Sequence, residues 1–443
     1  VATTLALHPD EGRTRAWIDR PYYHAVADET PDDMRLGVYT AAAIEDALSA
    51  GPWPTGRVCG PDEVLAANFN VGIRPLRQAF RLLEQRGLCR AQRGVSGGFV
   101  ILQPNLAEVA RSMSRHLVAL GVTYRHIWEL RRFMEPAVIE AHASHKGWLN
   151  PIFELAMACL NLFPSGLDLN LKAEVADRSG LVRASERADA REPLQVWRQS
   201  FSDRQALFDL DARAASGEGP RPVEFRNRAA AVAARICADT RTHQIRNQDR
   251  IGSAATLSER YAVGLPVMVE AIRLLEDAGL VISLRGRGGG IAVAEPSDAS
   301  LIRATFGYFA ATDTTLEQCG EASRLLNAAA VTLAAERVAR GQPFRFNPQP
   351  VFPTGVDGTP SMLQWFRLLQ QIYDFADNPM MHSLVRCTVG YDVRRTAQAY
   401  TIMRRSQIGQ RLESGARSLV AAIQAGQVTE ASRQFDACQE LLL

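Results

Sequence analysis

The chain has 443 residues, with 50 Lys plus Arg against 48 Asp plus Glu, and 47% of its residues are hydrophobic. That length suits about three domains of roughly 150 residues, and the apolar content excludes a mostly disordered chain. A formal net charge of +2 excludes an overall polybasic protein, so any nucleic-acid site has to be local. No apolar run reaches the roughly 18 to 20 residues of a membrane span, and no basic-then-apolar secretion pattern opens the sequence. Lys146 and Lys172 are the only lysines, neither in a recognisable Schiff-base motif, and the other 48 cations are arginines. Cys59, Cys89, Cys159, Cys237, Cys319, Cys387 and Cys438 are dispersed without a C-x-x-C pair. Such a set reads as reduced thiols of a cytoplasmic protein, not as a disulfide scaffold or zinc ribbon.

In chain order, residues 1–30 form an N-terminal extension. Leu36, Tyr39, Ala43, Ala47 and Leu48 recur at helical intervals, and Gly51-Pro52 stops that first helix. A second short helix starts at Pro61, with Asp62 and Glu63 in its first turn. Asn70-Val71-Gly72 makes a turn. Pro75 fits only the first turn of the third helix, whose buried stripe is Leu76, Ala79, Phe80 and Leu83. Gly87 caps its C-terminus. Leu88 to Arg93 and Phe99 to Leu102 read as two short strands around Gly94-Val95-Ser96-Gly97. Three helices followed by a β-hairpin define a winged helix-turn-helix over 31–104.

The chain then repeats itself. Residues 68–104 align without gaps to 260–296 at an offset of 192, with identities that include Val71/Val263, Gly72/Gly264, Arg81/Arg273, Leu83/Leu275, Glu84/Glu276, Gly87/Gly279, Gly94/Gly286 and Pro104/Pro296. The same offset carries Glu129 and Arg132 onto Glu321 and Arg324. The expected architecture is therefore mainly α: two winged helix-turn-helix modules, each followed by an all-helical bundle. A shortened helical domain is expected over 105–220, a second winged module over 221–296 and a second helical domain over 297–443.

The two modules differ in charge. From Val71 to Val100 the first has Arg74, Arg77, Arg81, Arg86, Arg90 and Arg93 against Glu84, a net of +5. The matched window Val263 to Ala292 has Arg273, Arg285 and Arg287 against Glu270, Glu276 and Asp277, a net of zero. In a helix-turn-helix the second helix enters the major groove, and cations beside it hold phosphates. Arg74 and Arg77 point away from the Leu76/Phe80 stripe near the start of that helix, whereas their counterparts are Pro266 and Val269. Arginines on an exposed helix face are often merely solvated. Here they sit on the one helix this architecture presents to DNA. We therefore expect DNA contacts from Arg74, Arg77, Arg81, Arg93 and Gly94, with secondary backbone contacts from Arg285 and Arg287 in the second wing. The glycine-rich loops lack a following G-K-[ST] and join two strands, which argues against a phosphate-binding P-loop.

These residues resemble the GntR family of bacterial transcriptional regulators. The resemblance rests on Gly56 to Ala66, Val71 to Leu88 and Arg93 to Val100, which follow the family's G-x-x-L-P-S-E-x-x-L-A stretch, its recognition helix and its R-x-G-x-G wing. By this resemblance Arg77 takes the second recognition-helix arginine and Gly94 the wing-tip glycine. Two departures stand out. The first arginine is displaced by one position, giving Ile73-Arg74, and Glu63 replaces an arginine common in the preceding helix.

The regions after each module resemble the helical effector domain of the FadR-type subfamily. Residues 127–143 are similar to its first helix, where Arg131 takes a ligand-facing arginine; the second copy has Ser323 there. Residues 363–381 are similar to a later helix ending in Asn-Pro, with Arg367 where a metal-binding histidine belongs. In the first copy Asn150-Pro151 follows His142 and His145 with almost none of the intervening helix. Such domains hold a divalent metal with one Asp and three His, a set neither copy retains, so no metal and no cofactor is expected. His142 and His145 are either a lone ligand pair or a capping or solvated pair, the second being the more ordinary role.

The expected protein is thus a cytoplasmic bacterial regulator and not an enzyme. It binds a double-stranded DNA operator, responds to a small-molecule effector such as a carboxylate at Arg131, and has no membrane partner. It acts either as a pseudo-dimeric monomer or as a homodimer. A protein-interaction adaptor with relic winged helices is the alternative. An enzyme is the weakest reading, since no nucleophile-base pair, metal set or cofactor loop is present.

Overall fold

A computed structural model describes residues 4–5, 7–8, 36–92, 98–120, 122–143, 150–162, 228–242, 249–277, 279–284, 289–294, 298–348, 362–396 and 406–441. The fold is mainly helical. The first module comprises α1 (Leu36–Leu48), β2 (Val58–Cys59), α2 (Asp62–Asn68), α3 (Ile73–Gln85), β3 (Cys89–Gln92) and β4 (Gly98–Ile101), and the short strand β1 (Thr4–Leu5) joins it. The second comprises α7 (Arg228–Thr242), β5 (Arg250–Gly252), α8 (Ala254–Arg260), α9 (Leu265–Asp277), β6 (Val281–Leu284) and β7 (Gly290–Val293). With the exception of β1, each element of the second module starts 192 residues after its counterpart.

The local causes match in both copies. Asn70 and Ala262 occupy the same turn with φ of 48° and 51°, a left-handed conformation that reverses the chain between two helices. Gly87 and Gly279, at φ of 72° and 68°, end α3 and α9 as left-handed caps. Glu84 Oε1 accepts from the Ala91 N–H at 3.1 Å and Glu276 Oε1 from the Ser283 N–H at 3.1 Å, so each tethers its helix to the hairpin behind it. The Glu84/Glu276 identity is thereby a structural one.

The sheets differ by one strand. Antiparallel β4 lies between β2 and β3, and β1 runs parallel to β2 with Thr4 opposite Val58 and Leu5 opposite Cys59. Leu7 is buried in the module's core, and its carbonyl accepts from Asn68 Nδ2 at 2.8 Å. Part of the N-terminal extension is therefore a strand of the first module. The second sheet has the order β5-β7-β6.

The helical part of the first copy contains α4 (Leu106–Ala119), α5 (Tyr124–Ala143) and α6 (Pro151–Leu162). In the second copy it contains α10 (Asp298–Ala311), α11 (Leu316–Ala339), α12 (Met362–Ala376), α13 (Pro379–Arg395), α14 (Ser406–Gln424) and α15 (Val428–Glu440). Helices α10 and α11 start 192 residues after α4 and α5. After that the offset changes, because the six residues 144–149 cannot span a counterpart of α12. Asn150-Pro151 at the start of α6 matches Asn378-Pro379 at the start of α13, an offset of 228 that also brings Cys159 onto Cys387. The shortening of the first copy is thus in part the loss of one helix between α5 and α6.

The two copies pack on each other reciprocally. Asn378 Nδ2 donates to the His126 carbonyl and to Glu129 Oε2, both at 2.9 Å. Asn150 Nδ2 donates to the Gln318 carbonyl at 2.8 Å and to Glu321 Oε2 at 3.2 Å. His126 and Glu129 correspond to Gln318 and Glu321, so one contact occurs twice. Arg132 forks onto Glu336, and Arg337 Nη2 donates to Glu129 Oε1 at 3.2 Å. Burial pushes the Glu129 carboxyl up, against the pull of Arg337, Arg125 and Asn378. Such desolvated, hydrogen-bonded charges specify how the copies meet more than they add net stability.

Candidate nucleic-acid interface

Helix α3 is amphipathic. Leu76, Ala79, Phe80 and Leu83 are fully buried, and Phe80 stacks on Phe99 of the hairpin with ring centroids 3.8 Å apart. Arg74, Arg77 and Arg81 are exposed. They recur at three- and four-residue spacing, which puts them on one helix face. Gly72, the N-cap, supplies no side chain to the first turn, so the first N–H groups of α3 lie beside Arg74 without a side-chain cap.

The arginines of the +5 window are not equivalent. Arg77 Nε donates to Asp62 Oδ2 at 2.6 Å, and this hydrogen bond is the main cause that raises its pKa. Arg74, Arg81 and Arg90 are exposed and make no recorded ion pair among the described residues. Arg86 does not belong to the exposed set at all. It is buried, and its Nη1 donates to Glu45 Oε1 at 2.7 Å. The sequence count therefore overstates the outward charge, because a cation at the end of α3 neutralises an acid inside the module. The first helix also departs from the expected stripe: Leu36 is 53% exposed, whereas Glu45 and Asp46 are fully buried. Arg93 and Gly94, and Arg285 and Arg287 of the second hairpin, lie outside the described residues.

Sequence reasoning missed Arg57, which is exposed just before β2. It lies outside both the recognition-helix and wing patterns. Its signal was available at the repeat offset, where the second module has Asp249, a reversal of charge.

The matched face of α9 is apolar at the positions of Arg74 and Arg77 and keeps an arginine only at that of Arg81. Leu265 is 48% exposed, Pro266 is exposed and Val269 is half-buried, while Ile282 takes the place of Arg90. Arg273, the counterpart of Arg81, lies 3.8 Å from Glu270 on the preceding turn. Helices α3 and α9 touch.

In the helical part, Arg131 is buried, with Nη2 donating to the Leu160 carbonyl at 3.0 Å and Nη1 to Glu135 Oε1 at a long 3.4 Å. Arg367 is exposed. The side chains of His142 and His145 lie outside the described residues. Asp298 anchors a second polar cluster: Arg386 Nη1 is 3.0 Å from its Oδ2, and the Ser383 hydroxyl donates to its Oδ1 at 3.2 Å. Burial opposes ionisation of Asp298, but His116 and Arg386 outweigh it and hold the carboxyl down to about 2. Among the described residues no group of three or more His, Cys, Asp or Glu is arranged to hold a metal ion, and no helix is long and apolar enough to cross a membrane.

No protein-family model and no curated protein sequence matches this chain.

Proposed function

We propose that the chain is a DNA-binding transcriptional regulator of the kind the GntR resemblance implies, with the first module as a winged-helix reader of a double-stranded operator. The observation that carries this reading is the exposed Arg74/Arg77/Arg81 face of α3, where the repeat has Pro266, Val269 and an Arg273 set against Glu270. Mere solvation needs no such segregation. Phosphate contacts from Arg57, Arg81 and Arg90 would position the module, and Arg74 at the start of the helix reaches base edges.

The reciprocal Asn150 and Asn378 contacts support a pseudo-dimeric monomer with one charged and one neutral module. Such a molecule suits an asymmetric DNA site. A small carboxylate effector at Arg131 would take the place of Glu135, whose bond to that guanidinium is long. Titration of the purified chain with DNA fragments across a salt series tests the reading. Affinity that falls linearly in log-log form with salt is expected; no binding to any fragment from selected random DNA at low salt refutes it. A second reading, a protein-interaction adaptor, is favoured by the exposed Leu265 and Ile282 of the second module. That reading predicts capture of a protein partner lost on Leu265→Asp.

A further inference from the structure

Four buried charges join the first module to the second helical bundle. Glu45 and Asp46 come from α1, Arg86 from the end of α3 and Arg394 from the last turn of α13. Arg394 Nη1 donates to Glu45 Oε2 at 3.1 Å, and its Nη2 donates to Asp46 Oδ1 at 2.9 Å and to the Ala42 carbonyl at 3.3 Å. Glu45 Oε1 accepts from Arg86 Nη1 at 2.7 Å. The Phe306 ring of α10 lies 3.4 Å from the Arg394 guanidinium carbon, and Arg395 Nη1 donates to the Ser49 carbonyl at 2.6 Å. Two carboxylates and two guanidiniums balance, and Arg394 is fully buried.

Among the described residues the second module has no such cluster. Its matched positions are Cys237, Ala238 and Ala278. Instead, its core residues Ile236, Cys237, Leu257, Met268 and Leu275 belong to one apolar cluster with Ala110, Met113 and Leu117 of α4 and with both bundles. The first module's core, from Ile44 and Leu65 to Phe80 and Ile101, is a separate cluster. Apolar burial is non-directional. A buried array of charges is not, because a shift strands an ion in low dielectric.

We infer that Arg394 is a positioning residue: it fixes the orientation in which the second bundle carries the first module, and with it the Arg74 face. The last step rests on the reading of the first module as the DNA reader. The first module therefore answers to the bundle of the other copy. Helix α13 supplies the connection. Its N-cap, Asn378, is bonded to Glu129 at the junction of the two copies, and Arg394 lies at its far end. A helix of 17 residues spans about 25 Å. Movement of α13 at the junction is thus delivered to α1.

Pulsed electron-spin distance measurement on the full chain tests this. Ala67→Cys on α2 and Ala437→Cys on α15 provide exposed label sites, and all seven native cysteines are buried. The parent chain is expected to show one narrow distance. Asp46→Asn with Arg394→Gln removes one charge of each sign and leaves the Arg86–Glu45 pair. It is expected to replace the narrow distance by a broad one while helical content is retained. Arg394→Lys keeps the charge and is expected to stay narrower than the double variant. A double variant as narrow as the parent, or a Lys variant as broad as the double variant, overturns the proposal. DNA titration of the same samples separates the two ideas: a broadened distance without DNA binding by the parent chain retains the latch and removes the reader.

Discussion

The two modules share a chain path, a turn geometry and a helix-to-hairpin tether, yet they are held in the molecule by different means. The second is embedded: its core runs without a break into the helical bundles. The first keeps a core of its own and meets the second bundle through the Glu45, Asp46, Arg86 and Arg394 cluster, with Leu88 packed on Gly307 and Gln103 bonded to the Ala311 carbonyl. The copy that presents arginines outward is the copy held by directional bonds, and the copy that lost them is the one fused by apolar contact. Duplication lets these demands separate. One copy serves as a fixed base, leaving the other free to take a defined orientation. A single-unit protein has to meet both demands with one surface.

The sharpest break of this comparison uses one residue type at one repeat position. Leu83 and Leu275 are both buried, the first in the separate core and the second in the continuous one. Truncation of a buried Leu to Ala costs about 2–5 kcal/mol. Leu83→Ala is expected to split off an early calorimetric transition belonging to the first module, whereas Leu275→Ala is expected to lower the main transition of the chain. Identical effects from the two variants would mean that the cores are not independent.

Acid acts on the embedded side. Burial is the main cause that lowers His126, at the junction of the copies, and His382, in the second bundle, to about 4. Both are neutral in the fold, and in the unfolded chain both take up a proton below about 6.5. The unfolded state therefore binds more protons between about pH 6.5 and 4, and stability falls as pH falls through that window. By pH 5 the loss is on the order of 2 kcal/mol for each histidine. Melting curves from pH 7 to 5 check this, and His382→Gln is expected to flatten the dependence.

If α3 is the reading helix proposed above, the largest effect on its face belongs to Arg74. Arg74→Ala is expected to weaken DNA binding by about 1–3 kcal/mol if it contacts a base edge, and Arg81→Ala to lower the salt slope by about one. Asp62→Asn works in the opposite direction. It releases Arg77 and is expected to tighten binding by less than Arg74→Ala weakens it. Fluorescence anisotropy at fixed salt ranks all three, and unchanged affinity in Asp62→Asn would show that Arg77 never leaves the interface of α2 and α3.

Much of this organisation was legible in the chain itself. The stripe Leu76, Ala79, Phe80 and Leu83, the turn at Asn70 and the cap at Gly87 are local features, and local spacing reveals them. The repeat carried the second module along with the first. What stayed hidden depends on partners far away in sequence. Glu45 and Asp46 look like solvated helix charges until Arg394 meets them, and Arg86 looks like part of a basic face until Glu45 does. The match of α6 to α13 was obscured because the first copy lacks a helix before α6, which breaks the constant offset just where Asn150-Pro151 and Asn378-Pro379 would have shown it.

The smallest expected effect concerns the second hairpin. Arg285 and Arg287 are the remaining cations of the neutral module's window that lie off its helix, and Arg273 is already beside Glu270. If the second module rests near DNA only because α9 touches α3, then Arg285→Ala with Arg287→Ala removes sequence-independent backbone contacts alone. Affinity is expected to fall slightly and equally on matched and mismatched sites, since phosphate contacts carry no sequence information directly. Arg74→Ala is expected to narrow the gap between matched and mismatched sites. Equal losses of discrimination in the two variants would show that both modules read bases, and the division between reader and base would then fail.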